Sequence, residues 1–305
     1  MVKGDARAAA FDKARRKAYQ VEELDDTASI RRVLEARRGY AAYALGQLDS
    51  RLFGLVRCWH AKGSTGQALV LFSGGGLGDA LFAMGEQTAL ESLLRLHRGP
   101  RHNYATCQPE HLPALRHYFA ISHEQPMLRM SVSAEGFQPA GAPPAAVVLR
   151  RLHGTEVRPL NQLYSSEGAP AYYTAAHLRE GVYYGVYEHQ HLLAVAGTHV
   201  VSAEMGVAVV GNVFTHPSFR GRGYAKLATG AVTAELLKTC RDVVLTVDPT
   251  NLPAVQAYRR LGYADECQLI EAAVVRKDLL GLGSWLARAL ARYRGRRQGV
   301  ELVTG

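Results

Sequence analysis

The run Phe214-Thr215-His216-Pro217-Ser218-Phe219-Arg220-Gly221-Arg222-Gly223-Tyr224-Ala225 gathers the residue types that a phosphate needs. Arg220, Arg222 and Lys226 bring positive charge, and Gly221 and Gly223 let backbone approach a ligand with no Cβ in the way. An apolar, strand-like run from Val207 to Val213 precedes it, and a helical pattern from Lys226 to Lys238 follows. The first N–H groups of a helix lack intrahelical partners and carry the positive end of its dipole. A strand that turns through glycine into a helix therefore suits a diphosphate. The register matches neither a nucleotide-triphosphate loop, which ends in Gly-Lys-Ser/Thr, nor the three-glycine dinucleotide fingerprint.

A second string follows the short apolar strand Asp242 to Val247. Asn251-x-x-Ala254-x-x-x-Tyr258-x-x-x-Gly262-Tyr263 reads as a helix with Pro253 near its start and Gly262 at its close. Ala254, Ala257, Tyr258 and Leu261 share one face of it.

The first string, Arg220-x-x-Gly223-x-Ala225, resembles the Arg/Gln-x-x-Gly-x-Gly/Ala signature of the GNAT acyltransferases, and the second resembles the Asn and Tyr signature of the same superfamily. The resemblance covers about Val147 to Lys277 and implies a GNAT fold with a mixed, mostly antiparallel sheet. It implies acetyl-CoA as cosubstrate, with the pyrophosphate held by Arg220, Gly221, Arg222, Gly223, Tyr224, Ala225 and Lys226. The backbone of Phe214 and Thr215 would pair with the pantetheine arm, Asn251 would bond along it, and Tyr258 would protonate the leaving thiolate. A general base is harder to place. Many GNAT enzymes keep a glutamate on the strand before the phosphate loop, whereas Val207-Ala208-Val209-Val210-Gly211-Asn212-Val213 has no carboxylate. His199 and Glu204 are the nearest replacements, and an amine that arrives neutral, or loses its proton through water, needs neither.

The elements that would position these residues begin with a strand at Val147 to Arg151. Short helices follow at Pro159 to Tyr164 and Thr174 to Arg179, then a hairpin of Gly185 to Tyr187 with Leu192 to Val200. Before them, residues 27–135 alternate helix and strand as a smaller α/β domain. Its patterns are helices from Thr27, around Tyr40 and Tyr43, at Thr88 to Leu96 and at Glu110 to Tyr118, with strands at Leu55 to Trp59, Ala68 to Phe72, Tyr104 to Cys107 and Leu128 to Val132. Neither signature occurs there, so the half resembles a degenerate GNAT-like domain, and the whole is similar to a predicted two-domain acetyltransferase group and to glycine N-acyltransferases. The glycine run Ser73 to Gly78 reads as a hairpin turn and residues 136–146 as a Pro/Gly linker. Residues 1–26 read as a charged tail with a frayed or loosely docked helix. Residues 278–305 form a basic tail whose Leu282, Trp285, Leu286, Ala289 and Tyr293 make an apolar stripe fit to dock on the protein itself.

At 305 residues the chain is long enough for two cores, and 48% hydrophobic with 21% charged residues is ordinary for a globular protein. No apolar run reaches membrane-spanning length, and Met1 to Arg7 lacks a secretory core, which together point to the cytoplasm. Cys58, Cys107, Cys240 and Cys267 are scattered and the histidines dispersed, so reduced thiols and no metal are expected. The net charge of +9 collects at the two ends and at the Arg220 loop, where the phosphates of CoA account for it. No nucleic-acid recognition motif accompanies it. The expected activity is acyl-CoA-dependent transfer of an acetyl group to a primary amine, small or on a peptide, in a ternary complex. An inactive acyl-CoA-binding regulator and a basic-tailed adaptor for RNA or membrane are the alternatives.

Overall fold

The computed structural model describes residues 18–74, 79–168, 171–278, 281–295 and 302–304. The described chain clusters into two compact units. The first comprises residues up to Ala36, Ser50–Pro126 and Gln268 onward, and the second Arg37–Asp49 with Met127–Cys267.

In the first unit β1 (Ala18–Leu24) leads to α1 (Thr27–Leu34), which Asp26 caps by accepting from the Ser29 N–H at 2.8 Å. After α2 (Ala42–Gly46), which lies in the second unit, come β2 (Val56–Gly63), β3 (Gly66–Ser73) and β4 (Ala80–Gly85). Then follow α3 (Gln87–Leu96), β5 (His102–Cys107) and α4 (Leu112–Tyr118). Strands β1 to β4 are antiparallel neighbours and β5 joins β4 in parallel. Leu90, Leu93 and Leu94 of α3 and Leu115 of α4 bury against Val70, Phe72, Leu81 and Ala105 of the sheet. Each such leucine contributes about 1.5–3 kcal/mol of transfer free energy.

The second unit repeats this order. β7 (Val148–Arg151), α5 (Val157–Tyr164), α6 (Ala175–Glu180), β8 (Tyr184–Glu188), β9 (His191–Ser202) and β10 (Val207–Thr215) precede α7 (Tyr224–Leu236), β11 (Asp242–Val247) and α8 (Leu252–Arg259). Strands β7 to β10 are antiparallel and β11 is parallel to β10. Leu227, Ala228 and Val232 of α7 pack on Ala208, Val210, Val243 and Leu245, one face of the sheet. Ala42 of α2 meets Val209 and Val244 on the other. Arg38 fixes the segment carrying α2, donating to Asp242 and to the Met205 and Gly206 carbonyls.

The strands beside β5 and β11 come from unexpected places in the chain. β6 (Phe119–Val132) gives Leu128–Val132 to the second unit as the antiparallel neighbour of β11. β12 (Ala264–Arg276) gives Ile270–Val275 to the first as the neighbour of β5. The units are therefore not the contiguous stretches 27–135 and 147–277. Residues 136–146 are docked rather than slack: the Gln138 N–H donates to the Leu261 carbonyl at 3.0 Å, and Phe137 and Ala140 pack on the second core.

Two further expectations are corrected. Part of the amino-terminal tail is not a helix: Ala18–Leu24 is a strand, because Tyr19 and Val21 alternate with exposed Gln20 and Glu22 and fill the first core. Residues 1–17 lie outside the described residues. At the carboxyl end α9 (Leu282–Gly295) docks within the first unit through Ser284, Ala287 and Ala291, with Arg288 donating to the Leu96 carbonyl at 2.6 Å. Small side chains allow the closer approach, which leaves Leu282, Trp285, Leu286 and Leu290 more than half exposed. A three-residue β13 (Leu302–Thr304) pairs with β1. β3 and β4 are antiparallel across the glycine run, of which residues 75–78 lie outside the described residues. No described helix is long and apolar enough to cross a membrane.

Candidate active site

Strand β10 is the axis of the site. Its first residues are paired on both sides, Val207 to Val210 running parallel to Asp242 to Leu245, and there the ladder with β11 ends. On the other side β10 continues along β9 as far as Thr215 opposite Ala194. From Gly211 to Thr215 the edge toward β11 is thus open, a length of about 16 Å. The cause is local. The register with β9 slips between Gly211 and Phe214, and Asn212 within the slip has a left-handed φ of 52°. Its side chain secures that backbone. Tyr173 donates its hydroxyl to Asn212 Oδ1 at 2.9 Å, while Asn212 Nδ2 donates to the Tyr183 hydroxyl at 2.9 Å. Tyr164 donates to the Asn212 carbonyl at 2.5 Å, and its ring stacks on Tyr173 at 4.7 Å. Burial pushes all three phenols above their ordinary range, Tyr183 to about 12.

The open edge runs into the glycine turn. His216 to Phe219 form a 3-10 turn, with the Ser218 N–H donating to His216 Nδ1. Gly221 and Gly223 have φ of 78° and 80°, and a Cβ built on either meets no atom within 4 Å. The turn is therefore bounded by free space on the side where a ligand would lie. Gly223 caps α7 with no side-chain hydrogen bond, so the first-turn N–H groups of Tyr224, Ala225 and Lys226 point outward uncapped by any side chain. Arg220 bonds the Thr215 carbonyl at 3.3 Å and pairs with Glu167, while Arg222 lies 5.0 Å over the Phe219 ring. Those contacts hold both guanidinium groups beside the turn. The Phe214 ring leans on Tyr164 at 5.2 Å. The ring of Tyr224 is buried in the core, so only its backbone is available to a ligand.

Asn251 caps α8, its Oδ1 accepting from the Ala254 N–H at 3.3 Å. Two helical turns on, Tyr258 is 7% exposed, edge-on to Tyr263 at 6.2 Å, in the core that includes Leu245 and Val247 of β11. Burial raises its phenol to about 12, and its hydroxyl has no hydrogen-bond partner among the described residues. It keeps its proton at neutral pH and has that proton to donate.

The two candidate bases fare differently. His199 is the extra residue of a bulge in β9, between Val200 opposite Val209 and Thr198 opposite Val210. Its ring lies over Gly211, where a Cβ would come within 2.0 Å of Nε2, and sits 5.8 Å from Tyr43 of α2. The residue is open to solvent yet walled by protein; that desolvation, with the charge of Arg129, lowers its pKa to about 4. Glu204 is not brought to the site. It stands in the exposed turn before Val207, at the opposite end of β10 from the glycine turn, because the β9–β10 hairpin turns there.

Sequence patterning missed the tyrosines around Asn212 and it missed Arg129. The signal for Asn212 was present: Gly211-Asn212 interrupts an otherwise apolar strand. No group of three or more metal-ligating side chains occurs among the described residues, and Cys58, Cys107 and Cys240 are free, buried thiols.

The family model described as Acetyltransferase (GNAT) family matches residues 149–263. No curated protein matches the chain, so the likeness to glycine N-acyltransferases rests on the sequence resemblance alone. Among solved structures, a Drosophila protein is 14% identical with a TM-score of 0.62, the match covering 84% of this chain and 98% of that one. A GCN5-related N-acetyltransferase from Sphaerobacter thermophilus is 16% identical with a TM-score of 0.54, covering 85% and 96%. A tandem GNAT protein from the clavulanic acid biosynthesis pathway is 13% identical with a TM-score of 0.50, covering 85% and 98%. At these identities the likeness is one of fold. The family match covers the greater part of the second unit, whose fold is that of the GNAT acetyltransferases.

Proposed function

We propose that the second unit is an acyl-CoA-dependent N-acetyltransferase that moves an acetyl group from acetyl-CoA to a primary amine by direct attack in a ternary complex. One observation carries this reading: the open edge of β10 leads through the glycine turn to the uncapped start of α7. A pantetheine arm carries amide groups that suit an open strand edge, and a pyrophosphate suits an uncapped helix start. Arg220, Arg222 and Lys226 flank that start with positive charge. A backbone N–H of the open edge would polarise the thioester carbonyl, a contribution of a few kcal/mol in such sites. The neutral amine nitrogen forms a bond to the carbonyl carbon, the carbon–sulfur bond breaks, Tyr258 supplies the proton that the thiolate takes, and the proton that the nitrogen sheds on becoming an amide passes through water to restore the phenol. Asn251 has its Nδ2 available to the arm while its Oδ1 holds α8. His199, with a pKa of about 4, does not hold an ammonium proton at neutral pH, so the amine reacts in its neutral form after losing that proton to bulk solvent. His199 then lines the acceptor side.

The first unit, with the same order of elements, is read as a GNAT-like half that has lost its cofactor site. Where α7 starts bare, α3 is closed by Glu86, whose carboxylate accepts from the Thr88 and Ala89 N–H groups at 2.9 and 2.8 Å.

The deciding experiment mixes the full chain with acetyl-CoA and a panel of primary amines, and follows free thiol alongside acetylated product by mass spectrometry. Thiol and product should appear in equal amounts. Tight acetyl-CoA binding with no product from any amine would replace this reading with that of a regulatory acyl-CoA sensor, which the carboxylate-free β10 would favour.

A further inference from the structure

Arg129 of β6 is the largest fully buried side chain in the described residues, and its Nε, Nη1 and Nη2 all lack a hydrogen-bond partner. No described carboxylate pairs with it. A guanidinium cannot shed its proton to escape such a place, so a buried and unpaired one is among the least favourable arrangements a core can hold. The described surroundings do little to relieve it. The ring of Tyr43 lies 5.4 Å away, and Thr246, directly opposite in the ladder, has a hydroxyl oxygen that is also buried and unpartnered.

The location gives the arginine a meaning. Thr246 follows Leu245, the last residue of β11 paired to β10, so the Arg129–Thr246 row is level with Gly211, where the open edge of β10 begins. Thr246 has the same parity as Val244, which faces α2, so the row is on the side of the sheet opposite α7. The ring of Tyr43 lies over Arg129 and is in contact with that of His199, which is exposed. That roof rests on α2, a five-residue helix without a side-chain cap. His199 is exposed and Tyr43 half-buried, so the two rings can turn aside by side-chain rotation while Arg38 keeps the segment of α2 anchored.

We infer that Arg129 binds a carboxylate of the amine acceptor, which makes the acceptor class an amine that carries a carboxylate, such as a free amino acid. The inference rests on the acetyltransferase reading for the word acceptor, and on the orphaned guanidinium for the carboxylate. The planar fork of Arg129 offers parallel N–H donors that match the two oxygens of a carboxylate, and Thr246 adds a hydroxyl donor beside it. Entry moves the Tyr43–His199 pair aside. The ligand then supplies the negative charge that the chain does not, while its amine faces the start of the open edge.

The test compares free amino acids and β-alanine, each with its own amide, on the full-length wild type and on Arg129→Met and Arg129→Lys. In wild type, kcat/KM for at least one acid should exceed that of its amide by about 30-fold or more, the scale of one buried charge-assisted pair. In Arg129→Met the ratio should collapse toward one, with Arg129→Lys between, since it keeps the charge and loses the fork. A readout independent of turnover uses thermal unfolding with CoA present: the same acid should raise Tm in wild type, and neither its amide nor Arg129→Met should show the rise. Arg129→Met itself should be as stable as wild type or more so, because it removes an uncompensated buried charge. Equal rates for acids and amides would overturn the inference while leaving the acetyltransferase reading standing. Acid-specific stabilisation without acetylation of any amine would do the reverse. A marked loss of stability in Arg129→Met without ligand would make the arginine a structural cation and would also overturn it.

Discussion

A phenol held at about 12 behaves unlike one in water, and that difference makes Tyr258 testable. Tyr258→Phe keeps the ring against Tyr263 and removes only the hydroxyl, which has no protein partner to lose. We expect kcat to fall about 10²-fold or more with acetyl-CoA affinity unchanged, measured under conditions where chemistry limits the rate. In the wild type no loss of rate from this group should appear near pH 10, the range of an ordinary phenol. His199 gives a second test, through stability. Desolvation by the protein around its ring, with the charge of Arg129, lowers its pKa to about 4 in the folded chain, against about 6.5 when unfolded. Between those values the unfolded chain binds the proton and the folded chain does not. Its contribution is therefore complete above pH 6.5 and is lost as pH falls toward 4. Denaturant unfolding of His199→Gln should fall less steeply across that window than the wild type. At this scale the sequence was partly legible. Tyr258 and the glycine turn sit in local strings that announce themselves, whereas Arg129 is one charged residue in an alternating strand, Leu128 to Val132, whose second face looks solvated until α2 is seen to cover it.

The decisive element is the junction of β10, the glycine turn and α7. Gly221 and Gly223 both hold left-handed backbone, which disfavours any side chain there by about 1–2 kcal/mol even though a Cβ would meet nothing. Gly223→Asp adds to that strain a carboxylate at the uncapped N–H groups, mimicking in charge what Glu86 does for α3. Acetyl-CoA affinity by calorimetry should drop at least about tenfold, about 1.4 kcal/mol, with the fold retained by circular dichroism. Unchanged affinity in a folded variant would remove the turn from the binding site. Elements of strong period were readable from the chain: α3, α7, α8 and the β8–β9 hairpin all appear near their expected places. Those that failed had weak or competing signals. The strand Ala18–Leu24 follows a charged alanine-rich run that dominates its local composition. In α9 large apolar residues mark the wrong face, because a small-residue face packs closer than Trp285 and Leu286 could.

At the scale of the whole molecule, the repeated order of elements was foreseeable and the ownership of strands was not. Which strand lies beside β5 or β11 depends on pairing between segments far apart in sequence, and no local pattern in Ile270–Val275 or Leu128–Val132 encodes it. The repetition raises the question of whether each unit would hold its own acetyl-CoA, and the two helix starts differ in the chemistry they offer it. In the second unit the start of α7 is bare and flanked by Arg220, Arg222 and Lys226. In the first, Glu86 occupies the start of α3 and Tyr19 donates its hydroxyl to the same carboxylate at 2.9 Å. Burial pulls the Glu86 pKa up, but the Thr88 and Ala89 N–H groups outweigh it and hold the carboxyl below its usual range, so it is ionised at neutral pH. A pyrophosphate would meet a fixed negative charge there, with the helix donors already engaged. Calorimetric titration of the full chain with acetyl-CoA should therefore saturate at one equivalent, and Gly223→Asp should weaken that site without exposing another. Two equivalent sites in the wild type, or one strong site surviving in Gly223→Asp, would show that the first unit binds the cosubstrate despite Glu86.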